Sequence, residues 1–389
     1  MVRAADVVRL ALGDDLVTEP NDGEELVAAV HAAASADAPG RTNDHRAAVR
    51  KKVRRSTDAM VRRRASDRRT DLRYRRLVME TGLLDELLRA DGPTRGHATI
   101  RLGELPGGSA IDVPATVIRG AVAGPTVWIM ATRDGDEVHA TLVAMAVQRR
   151  LDPAAVSGTV VVMPIGNVPG FGVLSREHPL APTYLEQRMD DRYFELISAR
   201  GGSFIDLHSA GVPSDTVDWT LTVRGDATGD AMGRAYGSPF LYEHRMGDPD
   251  TDPGLLDEAL YVRLSRAGVP SILIEAGGGL PPSSAIVDRA TEGVWNVLRL
   301  LGTIDEDVAP TSDPRMIHGF RIVTPDHGGL FTDGVAIGAE VTAGDVLARI
   351  VDPFGDVVEE LKAPVAGVVL TVPANPAVGT GTWAYEIGW

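Results

Sequence analysis

The chain has 389 residues, 44% of them hydrophobic, and a formal net charge of −15; that length exceeds one ordinary core and predicts two or three domains. Its longest apolar runs fall short of the roughly 18 residues that a spanning helix needs, so no membrane segment is expected. Cysteine is absent, which excludes disulfides, thiolate metal sites and cysteine nucleophiles, and leaves any metal to His, Asp or Glu.

The opening run MVRAADVVRLALGDD is broken by charge and has no small-residue cleavage site. No secretory signal is expected, and a cytoplasmic setting fits. Residues 1–95 read as a helical, Arg-rich extension, with AADVVRLAL and DGEELVAAVHAAASA at helical apolar spacing. Within it, residues 46–76 hold 14 Lys and Arg against three Asp. Such a stretch can be an electrostatic footprint for nucleic acid or anionic lipid. Without aromatic interleaving or a DNA-binding motif, it reads instead as a solvated helix paired with the acidic remainder. Neither a nucleic-acid nor a membrane partner is expected.

Residues 96–310 read as an α/β domain with a sheet covered by helices. Strand-like HATIRLGEL, IDVPATVIRGAV and PTVWIMAT come first. Helices are then expected over 138–150, 184–199, 254–268 and 283–302. Between them fall strands over 158–166 and 202–209, the run DWTLTVRG, and 270–277. After DEDVAPTSDP the helices stop, and residues 311–389 read as a small β domain of short strands and Gly, Asp or Pro turns.

Ligands in open α/β sheets bind beyond the carboxyl ends of the strands, and three strands here end in unusual chemistry. PTVWIMAT runs into Arg133, Asp134, Gly135, Asp136 and Glu137; GSFIDLHS ends in Asp206, His208 and Ser209; PSILIEAGGG carries Glu275 in an apolar strand. Asp134, Glu137 and His208 would form a three-donor N/O set with an open position, the pattern of a catalytic zinc. Glu275 would then move protons between water and the leaving amine. Acids at a helix start also serve as N-caps, each contributing about 1 kcal/mol, so the residues alone leave a cap and a metal site both open. A G-x-S-x-G nucleophile turn and a Walker-type phosphate loop are both absent.

Taken in order, the segments DGDE, VVVMPIGNVPGFGVLSR, FIDLHS, GVPSILIEAGGG, GVWNVLRLLG and the C-terminal HGGLF to LKAPVAGVVL resemble the succinylglutamate desuccinylase/aspartoacylase family over roughly residues 98–389. The resemblance implies a carboxypeptidase-like mixed sheet flanked by helices. It also implies zinc-dependent amide hydrolysis, with Glu137 and His208 as ligands and Glu275 as the catalytic glutamate. Two departures stand out. Asp134 occupies the place of the family's first histidine ligand, which makes the site harder and more negative and brings Mn or another divalent ion beside Zn as a candidate. Where the family clamps a substrate carboxylate with D-L-N-R-x-F-P-G, this chain has MDDRYFE. That keeps Arg192 but puts Asp191 for the asparagine, an exchange that favours an amine-bearing substrate.

The expectation is therefore a metal-dependent deacylase acting on a small N-acylated amine or amino acid. Its ligands would be Asp134, Glu137 and His208, its proton carrier Glu275, and its substrate contacts Arg192, Asp191, Arg133 and Asn167. The partner is a small-molecule substrate, and homo-oligomerisation is left open. The alternatives are a metal-poor pseudoenzyme serving as a binding or scaffold protein, and an acyl or aminoacyl transferase on the same site.

Overall fold

The computed structural model describes residues 82–389 except 106, 178–181, 213, 248–255 and 280. The expected N-terminal helices, including the basic stretch 46–76, lie outside the described residues. Helices among the described residues are α1 (Gly82–Leu88), α2 (Val138–Arg150), α3 (Val168–Phe171), α4 (Pro182–Ser198), α5 (Ala227–Tyr236), α6 (Leu260–Arg266) and α7 (Ser284–Leu300). The first ten strands are β1 (Thr94–Glu104), β2 (Ala110–Arg119), β3 (Val122–Ala131), β4 (Ser157–Met163), β5 (Ser203–His208), β6 (Ser214–Thr216), β7 (Asp218–Val223), β8 (Phe240–His244), β9 (Ser271–Ala276) and β10 (Arg315–Ile317). Eight more follow: β11 (Phe320–Val323), β12 (Gly329–Thr332), β13 (Glu340–Val341), β14 (Val346–Val351), β15 (Val357–Lys362), β16 (Gly367–Pro373), β17 (Ala377–Val378) and β18 (Tyr385–Gly388).

Among the described residues, nine strands form one mixed sheet in the order β1-β2-β4-β3-β5-β9-β7-β8-β10. Its centre is parallel, with β3 beside β4 and β5, and β5 beside β9; β7 then runs antiparallel to β9. The near-continuous apolar strands follow from burial on both faces. Trp128, Met130 and Phe204 enter one core with Leu84, Met189 and Leu264 of α1, α4 and α6. Val127, Ile129 and Ile205 alternate into the other, against Val143, Met232 and Val294 of α2, α5 and α7. Helix α2 spans the expected 138–150, and its buried Ala140, Val143, Ala144 and Val147 make the apolar stripe that seats it. The segment expected as a helix over 254–268 becomes helical only at Leu260, after a turn at 256–258.

Two smaller sheets at the C-terminus match the expected β texture, one of β11, β18, β16 and β13 and one of β15, β14, β12 and β17. They share a core of Val341, Leu347, Ile350, Leu361 and Ile387. Strand β6 pairs with β16, setting Thr216 opposite Thr371. The loop beyond β5 is thereby tied to the C-terminal sheets. Strand β10, at 315–317, belongs to the large sheet. No described helix is long and apolar enough to cross a membrane.

Candidate active site

The strand β3 ends in a turn that sets up the site. Thr132 has φ 56°, in the left-handed region, where a β-branched residue is strained. It is held there from several sides: its carbonyl accepts from Asn167 N (2.9 Å), and its hydroxyl bonds to the Glu137 carbonyl (3.3 Å) and to Thr141. The chain beyond it folds across the strand ends. Gly135 lies against the loop from Asn167 to Arg176, donating its N–H to the Arg176 carbonyl at 3.1 Å. A Cβ at Gly135 would meet Gly170 C at 2.3 Å and Ser175 O at 2.4 Å, so only glycine lets the two backbones approach this closely.

The acids of this turn do not cap α2. Glu137 stands at the N-cap position, yet no side-chain cap bond is made there. Its Oε2 lies 3.0 Å from His208 Nδ1 and accepts from Ser209 N (3.2 Å), while its Oε1 lies 3.4 Å from Arg176 Nη1. Asp134 Oδ2 lies 2.8 Å from Arg176 Nη2 and 3.6 Å from His208 Nδ1. On the far side of the imidazole, Nε2 is 3.3 Å from Asp206 Oδ1. That contact leaves Nδ1 facing the two carboxylates, as a supporting carboxylate does for a ligating histidine. Glu275 stands opposite His208 in the β5–β9 register.

Burial and crowding set the protonation of these groups. Burial drives Glu137 well above the usual carboxylate range, with the neighbouring Asp134 and Glu275 charges adding to it and His208 opposing. Burial likewise raises Glu275, against the pull of His208 and Arg176. For Asp134 burial also disfavours the charge, but Arg176, His208 and Arg133 together carry it below its ordinary value. Burial works against a charged His208, and Glu137 and Asp206 outweigh it, leaving the imidazole well above its usual value. The Asp134 charge holds the Arg176 guanidinium firmly protonated.

One donor atom each from Asp134, Glu137 and His208 lies within 4.8 Å of the other two. Two carboxylates and an imidazole, with Asp206 behind the imidazole, bring oxygen and nitrogen donors to one point. This donor set fits a divalent cation. The three residues line a cavity of about 430 Å³ together with Arg133, Arg176 and Glu275.

The other expected substrate contacts are dispersed. Arg133 lines the cavity, held bidentate by Asp190 at 2.5 and 2.8 Å. Asn167 is buried outside the cavity lining; its Oδ1 accepts from Gly170 N (3.0 Å) and its amide reaches the Arg176 carbonyl (3.5 Å), so it shapes the loop. Arg192 and Asp191 do not line the cavity either. Arg192 lies 3.7 Å from Glu195, and Asp191 accepts from Arg263 at 2.8 Å. Consecutive positions on α4 are turned by about 100°, so Asp190 reaches the site while the next two residues turn away. The missed residue is Arg176. Its signal was electrostatic: several carboxylates converge on the strand ends, and the adjoining loop ends in a lone arginine. His139 stands apart from the cluster, with Nε2 accepting from Ser283 N at 2.9 Å.

The chain is similar to known proteins over the same region. The succinylglutamate desuccinylase/aspartoacylase catalytic domain matches residues 123–193, which run from β3 through Arg176 into α4. The chain is 27% identical over 288 residues to the N-alpha-acetyl-L-2,4-diaminobutyric acid deacetylase of Halomonas elongata, covering 68% of this chain and 81% of that protein. Among solved structures, the product-bound ectoine utilization protein EutE (DoeB) from Ruegeria pomeroyi superposes with a TM-score of 0.67 at 22% identity, over 77% of this chain and 96% of that one. A succinylglutamate desuccinylase/aspartoacylase from Rhodobacter sphaeroides gives 0.65 at 21% identity, over 78% and 97%.

Proposed function

We propose, from the premise that this chain is a divergent member of the succinylglutamate desuccinylase/aspartoacylase family, that it is a metal-dependent hydrolase. It removes the acyl group from a small N-acylated amino compound that carries a further free amine. The observation that carries the reading is the convergence of Asp134, Glu137 and His208 beside Glu275 in one cavity with Arg176. The 27% identical relative, a deacetylase of an N-acetylated diamino acid, supports the substrate class.

Asp134, Glu137 and His208 would hold the ion, and Asp206 would fix the imidazole with Nδ1 towards it. A divalent cation, zinc first with manganese as the alternative, would polarise the scissile carbonyl and acidify a water when bound. Glu275, made basic by burial, takes a proton from the attacking water and returns it to the leaving nitrogen as the C–N bond breaks. Arg176, fixed between Asp134 and Glu137, offers its guanidinium to the oxygen that becomes negative in the tetrahedral intermediate. The products are the free carboxylate and the amine. Acetate release from N-α-acetyl-L-2,4-diaminobutyrate, compared between wild type and Glu275→Gln, tests this. Full turnover in the variant would overturn the role given to Glu275.

One observation favours a second reading. Arg176 already spans Asp134 and Glu137 at 2.8 and 3.4 Å, so an arginine could serve as the resident cation of a metal-poor binding protein. Metal content separates the two.

A further inference from the structure

The face of the large sheet that floors the cavity changes chemistry within three strands. His208, Glu275 and Trp219 stand opposite one another on β5, β9 and β7; so, two residues away, do Asp206, Leu273 and Leu221. All six line the cavity. Residues opposite one another share a face. Strand β5 therefore gives the floor an aspartate and a histidine, β9 a glutamate and a leucine, and β7 an indole and a leucine. At about 4.8 Å per strand, the change from charged to apolar takes about 10 Å.

The walls follow the floor. Next to β5, the turn after β3 brings Arg133, Asp134, Asp136 and Glu137 to the cavity, with Arg176 across them. On the other side, Leu260 of α6 and Phe320 of β11 line it and join Trp219, Leu221 and Leu273 in one buried apolar cluster. Trp219 meets Phe320 edge-to-face at 5.7 Å. Leu256 and Ala259, half-buried before α6, pack against the same cluster and line the cavity. The Trp219 indole N–H has no acceptor among the described residues, so an alkyl chain laid over the ring displaces no bond.

An N-acylated amino compound has a charged half and an acyl half, joined at the scissile amide. With that amide at Asp134, Glu137 and His208, the charged half is costly against the apolar wall and suits the charged one. The acyl half is left to face β7 and α6. We propose that Trp219, Leu221, Leu273 and Phe320 form an acyl pocket, which selects an aliphatic acyl group longer than acetyl. Trp219 lies one strand spacing, about 5 Å, beyond Glu275, which suits a chain of a few methylenes. Assigning the chain to the acyl half rests on the deacylase reading; the preference of this wall for an alkyl chain does not.

The test is calorimetric titration of the full chain with acetate, butyrate and hexanoate. Each added methylene should tighten binding about two- to fourfold, so hexanoate should bind at least about tenfold more tightly than acetate. Ala259→Leu adds bulk at the apolar wall. It should bring hexanoate within about threefold of acetate and leave acetate affinity within about twofold of the wild type. Equal binding of the three carboxylates by the wild type, or a hexanoate advantage unchanged in Ala259→Leu, overturns the proposal. Should Ala259→Leu fail to fold, Leu256→Gln at the other half-buried position takes its place. It should weaken hexanoate about three- to tenfold with acetate little changed, and an unchanged ratio overturns the pocket. Turnover is scored separately. Cleavage of N-α-acetyl- but not N-α-hexanoyl-L-2,4-diaminobutyrate overturns the pocket alone. A chain-length preference in binding, with neither compound cleaved, sinks the deacylase reading alone.

Discussion

Replacing Gly135 with alanine tests how the site is assembled. The new Cβ would fall 2.3 Å from Gly170 C, 2.4 Å from Ser175 O and 2.5 Å from Phe171 N, all backbone atoms. Ordinary contact begins near 3.4 Å, so the turn bearing Asp134 and Glu137 must move about 1 Å from the loop bearing Arg176. Overpacking of this kind costs about 1–3 kcal/mol, and lowers Tm by roughly 1–2 °C for each kcal/mol in a chain of this size. Activity should suffer more, because a misplacement of about 1 Å in a catalytic constellation reduces rate about 100-fold. The assay is kcat/KM for acetate release, read beside thermal unfolding, with Gly172→Ala as the control. That glycine is in the same loop but has right-handed geometry and nothing closer than 3.6 Å to a built Cβ. Gly135→Ala at wild-type kcat/KM, or Gly172→Ala equally damaged, would refute the reasoning.

Three further outcomes follow from the same geometry. Glu275→Gln should lose about 10²- to 10⁴-fold in kcat while its metal content, by elemental mass spectrometry, stays that of the wild type; a parallel loss of metal would reassign Glu275 as a ligand. Arg176→Met should lower kcat/KM by about 10²- to 10³-fold, whereas Arg192→Met, outside the cavity lining, should stay within about threefold; the reverse order would restore Arg192 as the substrate clamp. Asp218, buried beside Tyr236 and Arg289, has its carboxyl raised to about 6 by burial, which outweighs the Arg289 charge and the Tyr236 bond. The folded state therefore holds its proton more tightly than the unfolded chain. The contribution is fully present below about pH 4 and is lost as pH rises through about 6, on the order of 3 kcal/mol in all. Denaturant unfolding should show Asp218→Asn gaining on the wild type between pH 4 and 7, and a gap that does not change with pH would contradict this.

Much of the sheet was legible because its strands are buried on both faces and read as short continuous apolar runs between turn formers. Helix α2 was legible to the residue: an apolar stripe starts after Glu137 and stops at Leu151 before a proline. Helix α5 and strand β8 were not. The ATGDAMGRAY segment is rich in glycine and alanine and offers little apolar periodicity; it is fixed by Asp226 accepting from Gly229 N at 2.8 Å and by Gly237 at positive φ. The metal-type residues were legible because polar groups that end apolar strands have few structural reasons to be there. Arg176 lies in an irregular loop, where no period marks it. The clamp expected from MDDRYFE meets the opposite difficulty: helix α4 turns Asp190 to the cavity, while Asp191 and Arg192 lie outside its lining. The loop beyond β5 is tied to the C-terminal sheets because β6 and β16 pair across more than 150 residues, which no local pattern announces.

The central claim is that the acids after β3 hold a metal ion. The most direct measurement is elemental mass spectrometry on protein purified without added metal, with His208→Ala and Asp134→Ala prepared in parallel. The account predicts close to one equivalent of a divalent ion in the wild type and its loss in both variants. A wild type that stays metal-free after incubation with zinc and with manganese would contradict it, and would leave Arg176 as the cation that these acids were placed to meet.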